Sequence, residues 1–167
     1  MHKIRDLIAK DRSRIYEIMQ QDDILSAIEI DTTLEQIDRF LFEKEKTKNK
    51  AVVIENDKNR VIGFGYYGPY ISIKKSCVIY RFFISSVYDD NSAANELINF
   101  IENDIKSLKS GKLFIAMSSK TGSRMLQFYK NHNYLKQERL KNFYRNGKDL
   151  MLLEKQINLN TKKRVYG

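Results

Sequence analysis

The amino-acid sequence predicts a mixed α/β (α+β) fold: a single domain on one largely antiparallel seven-stranded sheet, flanked by about four helices. Three observations lead there. Apolar periodicity gives the order strand–helix–helix–strand–strand–strand–helix–strand–helix–strand–strand. Antiparallel hairpins there alternate with strand–helix–strand units, and one mixed sheet covered by helices buries both most simply. The chain has 167 residues, about one domain, with no internal repeat or interdomain linker. Only seven glycines and one proline interrupt it, so most residues belong to regular elements.

Lys3–Ile8 reads as the first strand. A helix follows, with Asp11 as its N-cap and Ile15, Ile18 and Met19 on one face. A second helix is expected from Thr32, where Thr32-x-x-Glu35 fits a capping box and Leu34, Ile37, Phe40 and Leu41 form an apolar stripe. The charged run Glu43–Lys50 reads as its solvated end and a loop. Ala51–Glu55 and Val61–Tyr67 flank the turn residues Asn56–Asn59, a hairpin that Gly68-Pro69 is expected to interrupt. Cys77–Ser85, rich in β-branched and aromatic residues, reads as a mostly buried strand.

Ala94, Leu97, Ile98, Ile101, Ile105 and Leu108 recur at three and four, as an amphipathic helix requires, until Ser110-Gly111 stops it. Lys112–Met117 is a short buried strand. Thr121–Asn131 is a helix whose end Asn133 closes in a left-handed conformation. Leu135–Phe143 and Lys148–Lys155 form a last hairpin around Asn146-Gly147. The domain is expected to span 1–157, with 158–167 a basic tail carrying Lys162-Lys163-Arg164.

Composition bounds function. With 42% apolar residues the chain has enough to build a core, which excludes a long disordered chain. A net charge of +9 attracts nucleic acid, anionic membranes or phosphorylated small molecules without choosing among them. The lone Cys77 excludes an internal disulfide, and two histidines, His2 and His132, offer no zinc-ligand set. No stretch approaches the roughly 18–20 apolar residues of a membrane span, and the N-terminus has no apolar leader core. A cytoplasmic protein without a membrane partner is the expectation. The aromatic run Tyr80-Arg81-Phe82-Phe83 suggests a single-strand nucleic-acid surface. Consecutive strand positions, however, turn at least half of those rings to the core, which makes a nucleic-acid partner unlikely.

Two C-terminal segments carry a family resemblance. Phe128-Tyr129-Lys130-Asn131-His132-Asn133-Tyr134 resembles the F-Y-x-x-x-G-F segment of the GCN5-related N-acetyltransferases (GNAT), and Asn142–Asp149 resembles their D-F-Y-x-x-G-D-D segment. The resemblance runs from about Lys3 to Gln156 and includes the element order. It implies acetyl-CoA as co-substrate, a small-molecule or peptide amine as acceptor, and direct attack in a ternary complex. Homodimers are common among such enzymes.

It also implies residue roles. Tyr129 is the expected catalytic group, a general acid for the leaving thiolate, although a core aromatic on an apolar helix face is the plainer alternative. Cofactor binding falls on the backbone of Phe83 and Ile84, beside the pantetheine arm, and on the loop Asp89-Asp90-Asn91-Ser92-Ala93-Ala94, beside the pyrophosphate. That loop departs from the family's Q/R-x-x-G-x-G/A: only Ala94 matches, and two carboxylates stand near a doubly charged ligand. Main-chain N–H groups survive any side-chain change, so an anion site at the helix start is retained, with the Ser92 hydroxyl as an added donor. Acidic residues near a helix start also suit the helix dipole. A binding or regulatory protein with weakened CoA affinity is the alternative function.

No general base stands out. The strand position where relatives carry a carboxylate is Val78, and Glu55, Tyr66 and Tyr80 are the nearest polar candidates. Lys120, Arg124 and Lys130 are candidates for the 3′-phosphate. The acceptor pocket is expected between the Tyr67–Lys75 loop and the first two helices.

Overall fold

A computed structural model of the protein describes residues 1–21, 25–88, 91–108, 110–118, 123–143 and 147–157. The elements are β1 (Lys3–Asp6), a 3-10 turn (Ala9–Asp11), α1 (Arg12–Gln20), α2 (Ala27–Glu43), β2 (Lys50–Glu55), β3 (Val61–Pro69), β4 (Ser76–Ile84), α3 (Asn91–Ser107), β5 (Lys112–Ser118), α4 (Ser123–Asn131), β6 (Leu135–Leu140) and β7 (Leu150–Gln156). The strands form one seven-stranded sheet in the order β1-β2-β3-β4-β5-β7-β6. Every neighbouring pair is antiparallel except β4 and β5. The expected architecture is the observed one. The proposed tail, 158–167, lies outside the described residues.

Helices cover both faces, so the central strands are buried on both sides. Along β2, Val52 and Ile54 join the core under α3, where Leu97, Ile98, Ile101 and Ile105 are fully buried. The alternate residues Ala51 and Val53 pack with Ile15 and Ile18 of α1 and Ile37 of α2. This is the period-two alternation of a strand meeting the three-four periodicity of helices.

Two helix starts differ from expectation. The capping box of α2 is Ser26 with Glu29, not Thr32 with Glu35: Ser26 Oγ accepts from the Glu29 N–H, and the Glu29 carboxylate accepts from the Ser26 N–H at 2.8 Å. Thr32 sits inside the helix and donates to the Ile28 carbonyl one turn back. The same Ser/Thr-x-x-Glu pattern occurs twice six residues apart, and only the first has a non-helical residue at its head. Asp11 does not cap α1 with its side chain. Its carboxylate instead takes the Ile8 N–H at 3.0 Å and the Arg5 guanidinium at 2.7 and 2.9 Å, tying β1 to the start of α1.

Gly68-Pro69 does not break β3, which pairs with β4 as far as Pro69 and Cys77. At Gly68 a Cβ would meet the Asn49 side chain and lie 2.9 Å from Asn49 Cα, a backbone atom that cannot swing aside, so glycine is needed for close packing there. α4 ends as expected. Asn133 has φ +64, the Tyr134 N–H returns to the Tyr129 carbonyl at 3.0 Å, and the Asn133 N–H returns to that of Lys130 at 2.9 Å. These two bonds make a Schellman closure with asparagine in the left-handed position.

One buried ionic cluster links α3 to β7. Glu102 is 6% exposed, accepts from the Tyr134 hydroxyl at 2.9 Å and meets Lys155 Nζ at 2.7 Å. Lys155 also lies over the Tyr134 ring. Lys155→Met therefore leaves a buried carboxylate without its cation, and chemical denaturation should show a loss of about 3 kcal/mol. Gly63 faces a different constraint: a Cβ there would approach both the Phe83 carbonyl oxygen and Ile84 Cδ1 at 2.5 Å. Because one of these is backbone, Gly63→Ala should cost about 2 kcal/mol in the same measurement.

Candidate active site

β4 and β5 pair only from Ser76/Lys112 to Ile79/Ile115, although both strands run on. Past that point they separate, and a cleft of about 1000 Å³ opens between them. A register shift at the same level leaves Tyr80 without a partner, because Tyr67 faces Ile79 and Tyr66 faces Arg81. Such a bulge reverses the alternation of the strand. Ile79 belongs to the core under α3, whereas Arg81 reaches Thr33 on α2 at 2.9 Å. Beyond it, Phe82 stacks on Phe128 of α4, and Phe83 stacks on Phe64 on the opposite face. The aromatic run is thus divided between two cores and presents no continuous stacking surface.

The Ser85 N–H donates to the Ile62 carbonyl at 2.8 Å. By the alternation of an antiparallel ladder, the main-chain groups of Phe83 are turned to β3, and those of Phe82 and Ile84 face the gap. The strand edge on that side has no β5 neighbour.

The predicted residues meet only in part. Phe83, Ile84, Asn91, Ala94 and Tyr129 all line this cleft. Ala93 is buried in the core. The Ser92 hydroxyl donates to Glu96, which also meets His2. Asp89 and Asp90 lie outside the described residues. Arg124 lines the cleft, 3.4 Å from Asn91 at the start of α3. Lys130 does not line it, and Lys120 is outside the described residues.

Tyr129 is 3% exposed and held by rings: Phe82 at 6.1 Å, Phe128 at 5.5 Å and Tyr134 at 5.7 Å between centroids. Its hydroxyl has no hydrogen-bond partner among the described residues. Burial pushes its pKa far above the ordinary phenol value, so the group is a neutral proton donor at any physiological pH. His132 also lines the cleft, with Nδ1 2.9 Å from the Phe128 carbonyl, rather than sitting on an open surface.

The other half of the cleft lies against α1 and α2. Glu55 is not part of it: its carboxylate is taken by Arg5 at the β1–β2 edge. Val78 and Tyr66 do not line it either, and the Tyr66 hydroxyl accepts from Asn49. Tyr80 does line it, with its pKa raised by burial. No residue of the Tyr67–Lys75 segment contributes; Tyr67 is buried with its hydroxyl on Asp104, and Tyr70 packs on Phe114. The first two helices do contribute, through Met19, Glu29 and Thr33.

Glu29, Thr33 and Arg81 were not identified from sequence. The signal for Glu29 was the Ser26-x-x-Glu29 box, masked by the similar pair six residues on. Glu29 Oε2 accepts from the Ser26 N–H, the Ser26 hydroxyl and Lys148 Nζ at 3.2 Å, while Oε1 accepts nothing among the described residues. Burial alone would push this carboxyl up. The Ser26 donors and the Lys148 ammonium outweigh it and hold the group below its usual range. Among the described residues no cluster of His, Cys, Asp or Glu is arranged to hold a metal ion, and no helix is long and apolar enough to cross a membrane.

Two parted central strands, a free strand edge between them and a helix start at the end of the gap make up this cleft. Residues 4–150 match the model of the acetyltransferase (GNAT) domain, and the chain belongs to that family. An acetyltransferase of the GNAT family from Desulfovibrio desulfuricans superposes with TM-score 0.84 at 18% identity, covering 95% of this chain and 100% of the other. The ribosomal-protein-S18-alanine N-acetyltransferase of Escherichia coli gives 0.74 at 11% identity, with 98% of each chain covered. The spermidine/spermine N-acetyltransferase SpeG of Vibrio cholerae gives 0.69 at 15%, with 93% of this chain and 95% of the other covered. No curated protein sequence matches the chain.

The depressed Glu29 pKa sets a pH dependence. A lowered carboxylate pKa stabilises the fold above the unfolded value, near ~4.5, and the gain disappears as pH falls through the folded value. Ser26→Ala should therefore cost about 1 kcal/mol at pH 7 in urea titrations. The gap from wild type should narrow as the pH is taken below the carboxylate range.

Proposed function

We propose that the protein is an acetyl-CoA-dependent N-acetyltransferase that passes the acetyl group directly to a bound primary amine. The observation that carries this reading is the cleft itself: a strand edge without a β5 partner, a helix start at one end and, on its wall, a buried phenol that has no hydrogen-bond partner among the described residues. These residues fit the co-substrate. The main-chain groups of Phe82 and Ile84 would pair with the amides of the pantetheine arm, which the missing strand leaves available. The first N–H groups of α3, around Asn91 and Ala94, would receive the pyrophosphate, with Arg124 supplying the positive side chain that the loop sequence lacks.

Bound acetyl-CoA would supply an activated thioester. Tyr129 would donate its proton to the departing sulfur, which the absence of a competing acceptor among the described residues favours, and would recover it from solvent. Tyr80 and ordered water would relay the proton that the amine must lose. In balance, a nitrogen–carbon bond replaces the carbon–sulfur bond, the sulfur takes up one proton and one leaves to solvent from the ammonium form of the acceptor. Exposed backbone N–H groups on β4 would meet the carbonyl oxygen as it gains charge.

A second reading has a specific observation behind it: Asp89-Asp90-Asn91-Ser92-Ala93-Ala94 contains no glycine and two carboxylates. A chain that had lost the co-substrate would be a binding protein on the same scaffold. Titration calorimetry with acetyl-CoA and CoA separates the two; saturable heat supports the transferase, and its absence supports the binding protein. Tyr129→Phe should lower kcat for acetyl transfer by about 10²-fold while leaving the acetyl-CoA Kd within about twofold of wild type. An unchanged kcat would remove Tyr129 from the chemistry.

A further inference from the structure

The cleft wall against α1 and α2 carries charged side chains, but the protein itself already engages them. Arg81 donates through Nε to Thr33 Oγ1 at 2.9 Å and through Nη1 to the Tyr80 carbonyl at 2.7 Å. Thr33 in turn donates to the Glu29 carbonyl at 2.8 Å. The Glu29 carboxylate accepts from the Ser26 N–H at 2.8 Å, the Ser26 hydroxyl at 2.7 Å and the Lys148 ammonium at 3.2 Å. The Tyr80 hydroxyl donates to the Pro69 carbonyl at 3.3 Å. A group that is paired and hydrogen-bonded offers a ligand little net gain, since each new bond replaces an existing one.

Among the described residues, what the same wall leaves for a ligand is apolar. Met19 of α1, Leu25 just ahead of α2, Phe64 of β3 and Phe83 of β4 all line it. Met19 and Phe64 belong to the core beneath α1 and α2, and Leu25 and Phe83 pack against that core with part of their surface open. The Phe83 ring stacks on Phe64 at 6.2 Å between centroids, so these rings are held in place without a ligand. A preformed apolar wall whose polar groups are already satisfied binds by taking apolar surface out of water. The net charge of +9 acts in the same sense, because it opposes a polycation more than an amine that carries one charge. The cleft, about 1000 Å³ in all, has to hold the carrier arm as well, and the remainder is of small-molecule size.

We infer that the acceptor is a small monoamine on an apolar body, an alkylamine or arylalkylamine, recognised by contact with Leu25 and Phe83 and not by an ion pair. This inference rests on the acetyltransferase reading and adds the acceptor class.

The test is a transfer assay over n-alkylamines from propyl to hexyl, with phenethylamine, ethanolamine, spermidine and a tripeptide headed by alanine beside them. kcat/KM should rise about threefold with each added CH2, the worth of moving that group out of water. Hexylamine and phenethylamine should exceed ethanolamine and spermidine by about tenfold or more. Raising the ionic strength about tenfold should leave the hexylamine KM within about twofold, because salt does not screen apolar contacts. Leu25→Ser should flatten the series, raising KM for hexylamine about tenfold with propylamine little changed, and Leu25→Met should keep the slope. Acetyl-CoA affinity by calorimetry checks that each variant is folded. A flat series overturns the inference, as does faster turnover of ethanolamine, spermidine or the peptide. So does an equal loss along the series in Leu25→Ser with acetyl-CoA binding intact. If acetyl-CoA binds and no amine of the panel is acetylated, the acceptor class is wrong while the carrier site stands. If acetyl-CoA does not bind, the transferase reading itself fails and takes this inference with it.

Discussion

Past Ile79 and Ile115 two parallel strands in the middle of the sheet part company, and the rest of the molecule is arranged around that separation. Unpaired main-chain groups inside a protein are costly unless water or a ligand satisfies them. A strand edge opened in the sheet centre is therefore a site by construction. The bulge at Tyr80 sits at the same level and turns Arg81 to α2 while Phe82 goes to α4. One irregularity in β4 divides the cleft into two chemically different halves.

The two halves are held by different forces. On the α4 side, rings fix the position of Tyr129: Phe82, Phe128 and Tyr134 pack around it. Aromatic packing of this kind defines the ring orientation while leaving the hydroxyl unused. On the α2 side, hydrogen bonds and ion pairs do the work, through Ser26, Thr33 and Lys148. The helix cap of α2 has a second use there, because the carboxylate that closes the capping box also faces the cleft.

The departure of the Asp89–Ala94 loop from the family pattern is less severe physically than it reads in letters. Glycines in such a loop allow close backbone approach, but the donors are N–H groups that every residue there carries. Asn91 and Ala94 still line the cleft, and Arg124 arrives from α4 to stand beside them. A positive charge supplied by another element is invisible to a motif written on consecutive residues.

Local patterns in the chain were enough to determine the element order, the faces of the helices and the Asn133 closure. Those features depend on neighbours three, four or two residues away, and so are written in the chain itself. Exact starts were less legible where signals repeat: Thr32-x-x-Glu35 looked as good as Ser26-x-x-Glu29, and only packing of the preceding turn distinguishes them. What tertiary structure alone decided is the wall of the cleft against α1 and α2. It removed Glu55 to a pairing with Arg5, removed the Tyr67–Lys75 segment from the pocket, brought Arg81 to Thr33, and brought Lys148 to Glu29 across 119 positions of sequence. Residues so far apart carry no shared period or spacing, and their chemistry appears only when a sheet and two helices hold them within bonding distance.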